Sequence, residues 1–162
     1  MAVNLVLVRH GQAAAKQLGQ TDAERPLTPE GLAAIRAAFP KTMSLVEVSE
    51  KTELWVSPAL RARQTAEVAN ETLGIPAERQ QECIELYAQE EDEFLSLACA
   101  SDADTIVCVG HVPFMNRMVE YLSGQPVQFD TAGVAALRID HDVHDMCRLP
   151  ARLLWFVQGP EV

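Results

Sequence analysis

Asn4-Leu5-Val6-Leu7-Val8-Arg9-His10-Gly11 decides how this chain is read: a short apolar run that ends at once in arginine, histidine and glycine. Asn4 to Val8 is too short for a helix and rich in branched apolar side chains, the composition of a strand buried on both faces of a parallel sheet. In open α/β sheets ligands gather at the carboxyl ends of the strands, so Arg9 and His10 stand at the expected functional edge. Gly11 would let the backbone turn beside the imidazole where a Cβ would meet a ligand. Alone, Arg-His-Gly is as readily a strand that simply ends in polar residues. The later stretches change that balance.

Glu53 to Val56 reads as a second short strand running into Ser57-Pro58-Ala59-Leu60-Arg61-Ala62-Arg63-Gln64-Thr65-Ala66. Ser57 is expected to cap a helix whose first position is Pro58. Arg61 then lies about one turn in, near free backbone N–H groups that attract anions. Leu60, Ala66, Val68, Ala69 and Leu73 supply the packing face, Gly74 ends the helix, and Arg63 reads as solvated or ion-paired. Thr105-Ile106-Val107-Cys108-Val109 is a third buried strand, ending in Gly110-His111-Val112-Pro113 ahead of a helix that buries Phe114, Met118, Val119 and Leu122. A lone histidine after a strand is more often structural than catalytic. Three such endings converging on one sheet edge make a site.

Between these stretches, Thr28 caps a helix that begins at Pro29 and Glu30, turns Leu32, Ile35, Ala38 and Phe39 inward, and should stop at or before Pro40. Gly74 to Gln89 reads as a loop-like connector. Glu90 to Ala100 reads as an acidic helix with Phe94, Leu95, Leu97 and Ala98 inward. Its Glu90-Glu91-Asp92-Glu93 run partners the helix dipole and faces water rather than binding metal. Val134 to Ile139 and Arg152 to Val157 look like a hairpin or sheet edge. They are joined through His141-Asp142-Val143-His144-Asp145, read as a solvated loop rather than a metal site.

With 162 residues, 48% of them hydrophobic, the chain should form one domain with room for a core. Its 13 basic and 23 acidic residues give a formal net charge of -10, which opposes non-specific binding to nucleic acid or anionic membranes. Any anion site must therefore be local. No apolar run is long enough to span a membrane, Met1 to Val8 lacks a basic leader, and a cytoplasmic location is expected. Cys83, Cys99, Cys108 and Cys147 show no C-x-x-C spacing and are expected to be small buried residues rather than a disulfide framework.

Two histidines and two or more arginines at one edge suit phosphate. The planar fork of arginine matches phosphate oxygens and helix N-termini add backbone donors, so Arg9, Arg61 and two helix starts form a dianion pocket. A neutral imidazole can attack phosphorus to give a phosphohistidine that water later hydrolyses. A second imidazole, if protonated, can stabilise the equatorial oxygens. No metal or other cofactor is required, because cationic side chains neutralise the charge.

These stretches together resemble the histidine phosphatase superfamily, also called phosphoglycerate-mutase-like. The residues that carry the resemblance are Arg9-His10-Gly11, Ser57-Pro58 with Arg61, Gln64, Thr65 and Ala66, and Gly110-His111. Within it the chain looks most like the short bacterial SixA-type phosphohistidine phosphatases, through Asp22, Arg25-Pro26-Leu27-Thr28-Pro29-Glu30-Gly31, Leu86-Tyr87, Gly110-His111-Val112-Pro113 and Thr131-Ala132-Gly133. The resemblance implies a three-layer α/β/α sandwich with a mostly parallel central sheet and one antiparallel strand. It implies His10 as the phosphorylated nucleophile and Arg9, Arg61 and His111 as the phosphate pocket. Gly11, Asp22 and Arg25 join them in binding substrate. Gln12 stands where many short members carry an acid, which leaves Glu85 as the candidate proton donor.

The function expected is a metal-independent phosphatase acting on phosphohistidine in a protein. A phosphomonoesterase for a small phosphorylated molecule and a non-catalytic phospho-ligand module are the alternatives. A mutase is disfavoured, because the connector after Gly74 is too short for a large lid.

Overall fold

The quoted stretch becomes β1 (Ala2–Arg9), which lies inside a mixed six-stranded sheet in a computed structural model that describes residues 2–141 and 147–162. The other strands are β2 (Thr52–Val56), β3 (Gln80–Glu82), β4 (Thr105–Gly110), β5 (Val134–His141) and β6 (Cys147–Val157), in the spatial order β3-β2-β4-β1-β5-β6. β1, β2 and β3 all run parallel to β4 or to its neighbour, and β5 is antiparallel to both β1 and β6. One strand therefore opposes the rest, as the resemblance implies.

Alternation along β1 divides the core between the two faces of the sheet, because successive side chains point to opposite sides. Leu5 and Leu7 join Trp55, Ile106, Cys108, Phe94 and Phe114 in one cluster. Val6 and Val8 join Leu54, Val107, Val109, Ile35 and Phe39 in the other. The second cluster is covered by α1 (Pro29–Met43) and α2 (Leu60–Leu73). The first is covered by α3 (Ile84–Ala88), α4 (Glu91–Ala100) and α5 (Phe114–Ser123). The result is three layers.

Register brings the strand ends together. Arg9 lies opposite Gly110, and Val56 opposite Val109, so Arg9-His10, Ser57 and Gly110-His111 emerge side by side.

Several expectations need correction. α1 passes through Pro40 to Met43: the exposed proline costs a hydrogen bond and crowds the preceding turn, while Phe39 and Met43 on the inward face are fully packed. The connector after Gly74 holds β3 and α3, which are too short and, in β3, too exposed to show periodicity. α2 starts at Leu60 with Ala59 at its N-cap, so Ser57 does not cap it. Leu97 is exposed rather than inward. Cys83 and Cys108 are free and buried as expected, but Cys99 is disulfide-bonded, a link that no spacing in the sequence announces. Of the His141 to Asp145 joint, only His141 falls within the described residues. Among the described residues no helix is long and apolar enough to cross a membrane.

Candidate active site

His10 follows β1 and is fixed by backbone bonds on two sides: its N–H donates to Gly110 O at 2.9 Å and its carbonyl accepts from Ala132 N–H at 3.0 Å. The ring is fixed as well. Nδ1 lies 2.7 Å from Gly11 O, and a carbonyl can only accept, so Nδ1 carries the proton. Nε2 then presents a lone pair, which accepts from Arg61 Nε at 3.3 Å. Burial, followed by the charges of Arg61, Arg9 and Arg25, lowers the His10 pKa to about 4 against the weaker opposing effect of its Gly11 bond. The imidazole is neutral at physiological pH.

Gly11 has a different role from the one its sequence position suggested. A Cβ there would stand 3.3 Å from both Ile35 Cγ2 and Leu27 Cδ2, and its N–H is taken by Thr65 Oγ1 at 3.0 Å. The missing side chain makes room for the core, and Thr65 ties the turn to α2 by donating onward to Arg61 O at 2.8 Å. Gln64 adds a second tie by accepting from Leu27 N–H at 2.8 Å. Gln12 Oε1 accepts from the α1 cap Thr28 at 2.7 Å.

Arg61 is buried in the first turn of α2, and Asp22 grips it twice. Its Nη1 donates to Asp22 O at 2.8 Å and its Nη2 to Asp22 Oδ2 at 3.0 Å. Asp22 opens a short 3-10 turn (Asp22–Glu24) and also accepts from Arg25 Nη1 and Tyr87 Oη at 3.0 and 2.9 Å. Hydrogen bonds from Arg25 first, then from Tyr87 and Arg61, hold its carboxyl well below the usual carboxylate range despite some desolvation. Arg25 is held in turn by Nε donating to Ala14 O at 2.8 Å.

Arg9 reaches across β5's approach, with Nη1 donating to Phe129 O at 2.7 Å and its backbone N–H to Gly133 O at 3.0 Å. Burial lowers its pKa, partly offset by Asp130, and Nε is buried with no partner among the protein groups. That nitrogen is a donor still to be satisfied.

His111 is buried beside His10, ring centroids 5.1 Å apart and edge to face. Its Nε2 lies 2.7 Å from Ser57 Oγ, the hydroxyl that also accepts from Ala59 N–H at 3.2 Å. Burial, then His10 and Arg61, lowers its pKa to about 3, so the protein groups alone hold this second imidazole neutral rather than protonated. A phosphoryl dianion beside it would act in the opposite direction.

A cleft of about 540 Å³ is lined by Arg9, His10, Asp22, Arg25, Arg61, Tyr87, Gln89, His111 and Val112. Six of the residues expected from sequence therefore meet there. Glu85 does not line it: its carboxylate accepts from the Cys83 thiol at 3.4 Å. Sequence reasoning placed neither Ser57 against His111 nor Tyr87 and Gln89 in the cleft wall. The signal for Tyr87 was the Leu86-Tyr87 pair among the stretches that carry the resemblance, which gave it no role in the site.

The family model of the histidine phosphatase superfamily, branch 1, matches residues 5–93. The chain belongs to this superfamily. This histidine phosphatase is similar in structure to a candidate phosphohistidine phosphatase SixA from Agrobacterium tumefaciens, at 26% identity and a TM-score of 0.77, covering 97% of this chain and 98% of that one. It is similar also to a candidate phosphohistidine phosphatase SixA from Nakamurella multipartitia, at 26% identity, a TM-score of 0.72, and 98% and 97% coverage. A protein histidine phosphatase SixA solved with tungstate shares the fold, at 24% identity, a TM-score of 0.73, and 96% and 97% coverage. Among curated proteins there is no match. The chain is thus a phosphatase with SixA-like structural neighbours.

Proposed function

We propose that this phosphatase removes the phosphoryl group from phosphohistidine in a protein, through a covalent phosphohistidine formed at His10. The observation that carries the reading is the His10 ring itself: Nδ1–H held by Gly11 O, and a neutral Nε2 lone pair facing the cleft beside Arg61.

In the first step Nε2 attacks phosphorus while the bond from phosphorus to the leaving nitrogen breaks, and the departing imidazole keeps the electron pair. Arg9, Arg61 and His111 hold the phosphoryl oxygens. Because Gly11 O keeps the proton on Nδ1, phosphorylated His10 is an N-phosphoryl imidazolium and a good leaving group. Water then attacks phosphorus, its protons stay with the phosphate, and His10 returns neutral. The charge is met by side chains, so activity should survive EDTA.

The cleft also supports the choice of a P–N bond. An alkoxide needs a proton as it leaves, and a positioned general acid typically contributes ~10²–10⁴-fold. Asp22 is held ionised by three donors and Glu85 faces Cys83. An imidazole leaves across a weak bond and can leave already protonated on its other nitrogen. The test is to quench the reaction with 32P-labelled phosphohistidine peptide and look for an acid-labile, alkali-stable label on His10. An unlabelled protein during steady turnover sinks the covalent route.

A further inference from the structure

α3 is a five-residue helix in a connector, yet it is anchored at both ends of its inner face. Cys83 N–H donates to Val56 O at 2.8 Å, tying the start of α3 to the end of β2. Leu86 is fully buried, and the space its side chain needs exists because Gly110 has no Cβ: one there would lie 3.3 Å from Leu86 Cβ. The residue after Leu86 is thereby held in the wall of the cleft.

We propose that Tyr87 is a positioning residue for both halves of the phosphate site, its hydroxyl fixing Asp22 and through it Arg61, and its ring fixing His111. The phenol donates to Asp22 Oδ2 at 2.9 Å, the same oxygen that receives Arg61 Nη2 at 3.0 Å. With Oδ2 shared between them and Oδ1 on Arg25, the carboxylate has one orientation, and it turns the Arg61 fork so that Nε faces His10 Nε2. The Tyr87 ring meets the His111 ring edge to face, centroids 5.4 Å apart. Aromatic pairs of this geometry hold their partners' orientation beyond what contact area alone gives. Tyr87 thus joins Asp22 in the 3-10 turn to His111 after β4 through one side chain. This inference rests on the reading of Arg61, His10 and His111 given above.

The test uses the full chain and separates the two contacts of Tyr87. Tyr87→Phe keeps the ring on His111 and removes the hydroxyl; Tyr87→Leu removes both. In Tyr87→Phe, kcat/KM for p-nitrophenyl phosphate and tungstate affinity should each fall on the order of tenfold, the effect of one hydrogen bond to a charged group. The His10 titration followed by imidazole NMR should move upward, because Arg61, Arg9 and Arg25 are the cations that depress it and the nearest one has lost its guide. Tyr87→Leu should lose more, with His111 NMR signals broadened. Asp22→Asn combined with Tyr87→Phe should cost less than the sum of the two, since both act on one network. Unchanged His10 titration with additive losses overturns the proposal, as does wild-type kcat/KM in Tyr87→Phe. The titration does not depend on the substrate, so an unlabelled His10 would sink the covalent mechanism while leaving this result standing.

Discussion

Arg61 Nε donates to His10 Nε2 across 3.3 Å, so the proposed nucleophile and its nearest cation are bonded to each other. A phosphoryl group has to enter between them: its phosphorus takes the lone pair and its oxygen takes the N–H. Arg61→Ala should therefore reduce kcat by about 10²–10³-fold, the size seen when one donor to developing charge is removed. Arg61→Lys should recover little, because a single ammonium cannot occupy the two-point grip of Asp22 and still face His10. Steady-state kinetics of the two variants check this, and near wild-type activity in Arg61→Lys would speak against the fork.

The acid limb of kcat/KM should follow His10. Attack needs the neutral ring, which is the dominant form above its pKa of about 4 and is lost as pH falls through that value. The limb should therefore lie well below the 6.5 of an ordinary histidine. A pH profile with p-nitrophenyl phosphate measures it, and a limb near 6.5 contradicts the electrostatics of the site.

Stability should fall on acidification for a related reason. His10 and His111 have pKa values lowered to about 4 and about 3, so between pH 6.5 and 4 the unfolded chain binds more protons at these positions than the folded one. Stability rises with pH wherever the unfolded state holds the extra protons, so it is highest above 6.5 and declines as pH drops through the window. Calorimetry at pH 8, 6 and 5 should show a falling Tm, and His111→Asn should flatten the slope.

Glu85→Gln should change kcat by less than about twofold on phosphohistidine and aryl phosphates alike, because the carboxylate sits on the Cys83 thiol outside the cleft. The wild-type rate order should be phosphohistidine or phosphoramidate, then aryl, then alkyl phosphates. Rapid hydrolysis of a sugar phosphate that Glu85→Gln abolishes would restore Glu85 as the acid.

Gly110→Ala should destabilise the fold by about 1–3 kcal/mol, the usual cost of overfilling a packed core. The new methyl would meet Met115 Cε at 3.1 Å and Leu86 Cβ at 3.3 Å. Met115 can yield at its flexible tip, whereas Leu86 moves only with α3, so activity should fall along with Tm. A stability loss with kcat/KM intact would show that α3 does not transmit the shift.

The strand-end residues were legible because each interrupts an apolar run: Arg9, His10 and His111 stand out where Val8 and Val109 stop. Ser57 was legible in place but not in role, since its hydroxyl meets His111 while Ala59 takes the N-cap of α2. What could not be read is what depends on distant partners. Asp22 reaches Arg61 and Tyr87 across 39 and 65 positions, and no local pattern encodes such a meeting. β3 was hidden for another reason. Gln80, Gln81 and Glu82 are all exposed and form a strand only because β2 offers them an edge. Pro40 misled because its local penalty is real but smaller than the packing of Phe39 and Met43.

The sharing of β1 between two cores sets a hierarchy of opening motions. The His10 amide is bonded to Gly110 O at the end of β4 and the Arg9 amide to Gly133 O just before β5, so both are tied to the buried middle of the sheet on which the two hydrophobic layers depend. Their hydrogens should exchange with solvent only when the whole molecule unfolds. The 3-10 turn carrying Asp22 packs no buried residue and is held by polar contacts instead, so its amides should exchange through smaller openings. Because the turn is held through the bonds of Asp22 to Arg61, Arg25 and Tyr87, hydrogen exchange should slow in the turn, and not at His10, when tungstate binds and immobilises Arg61.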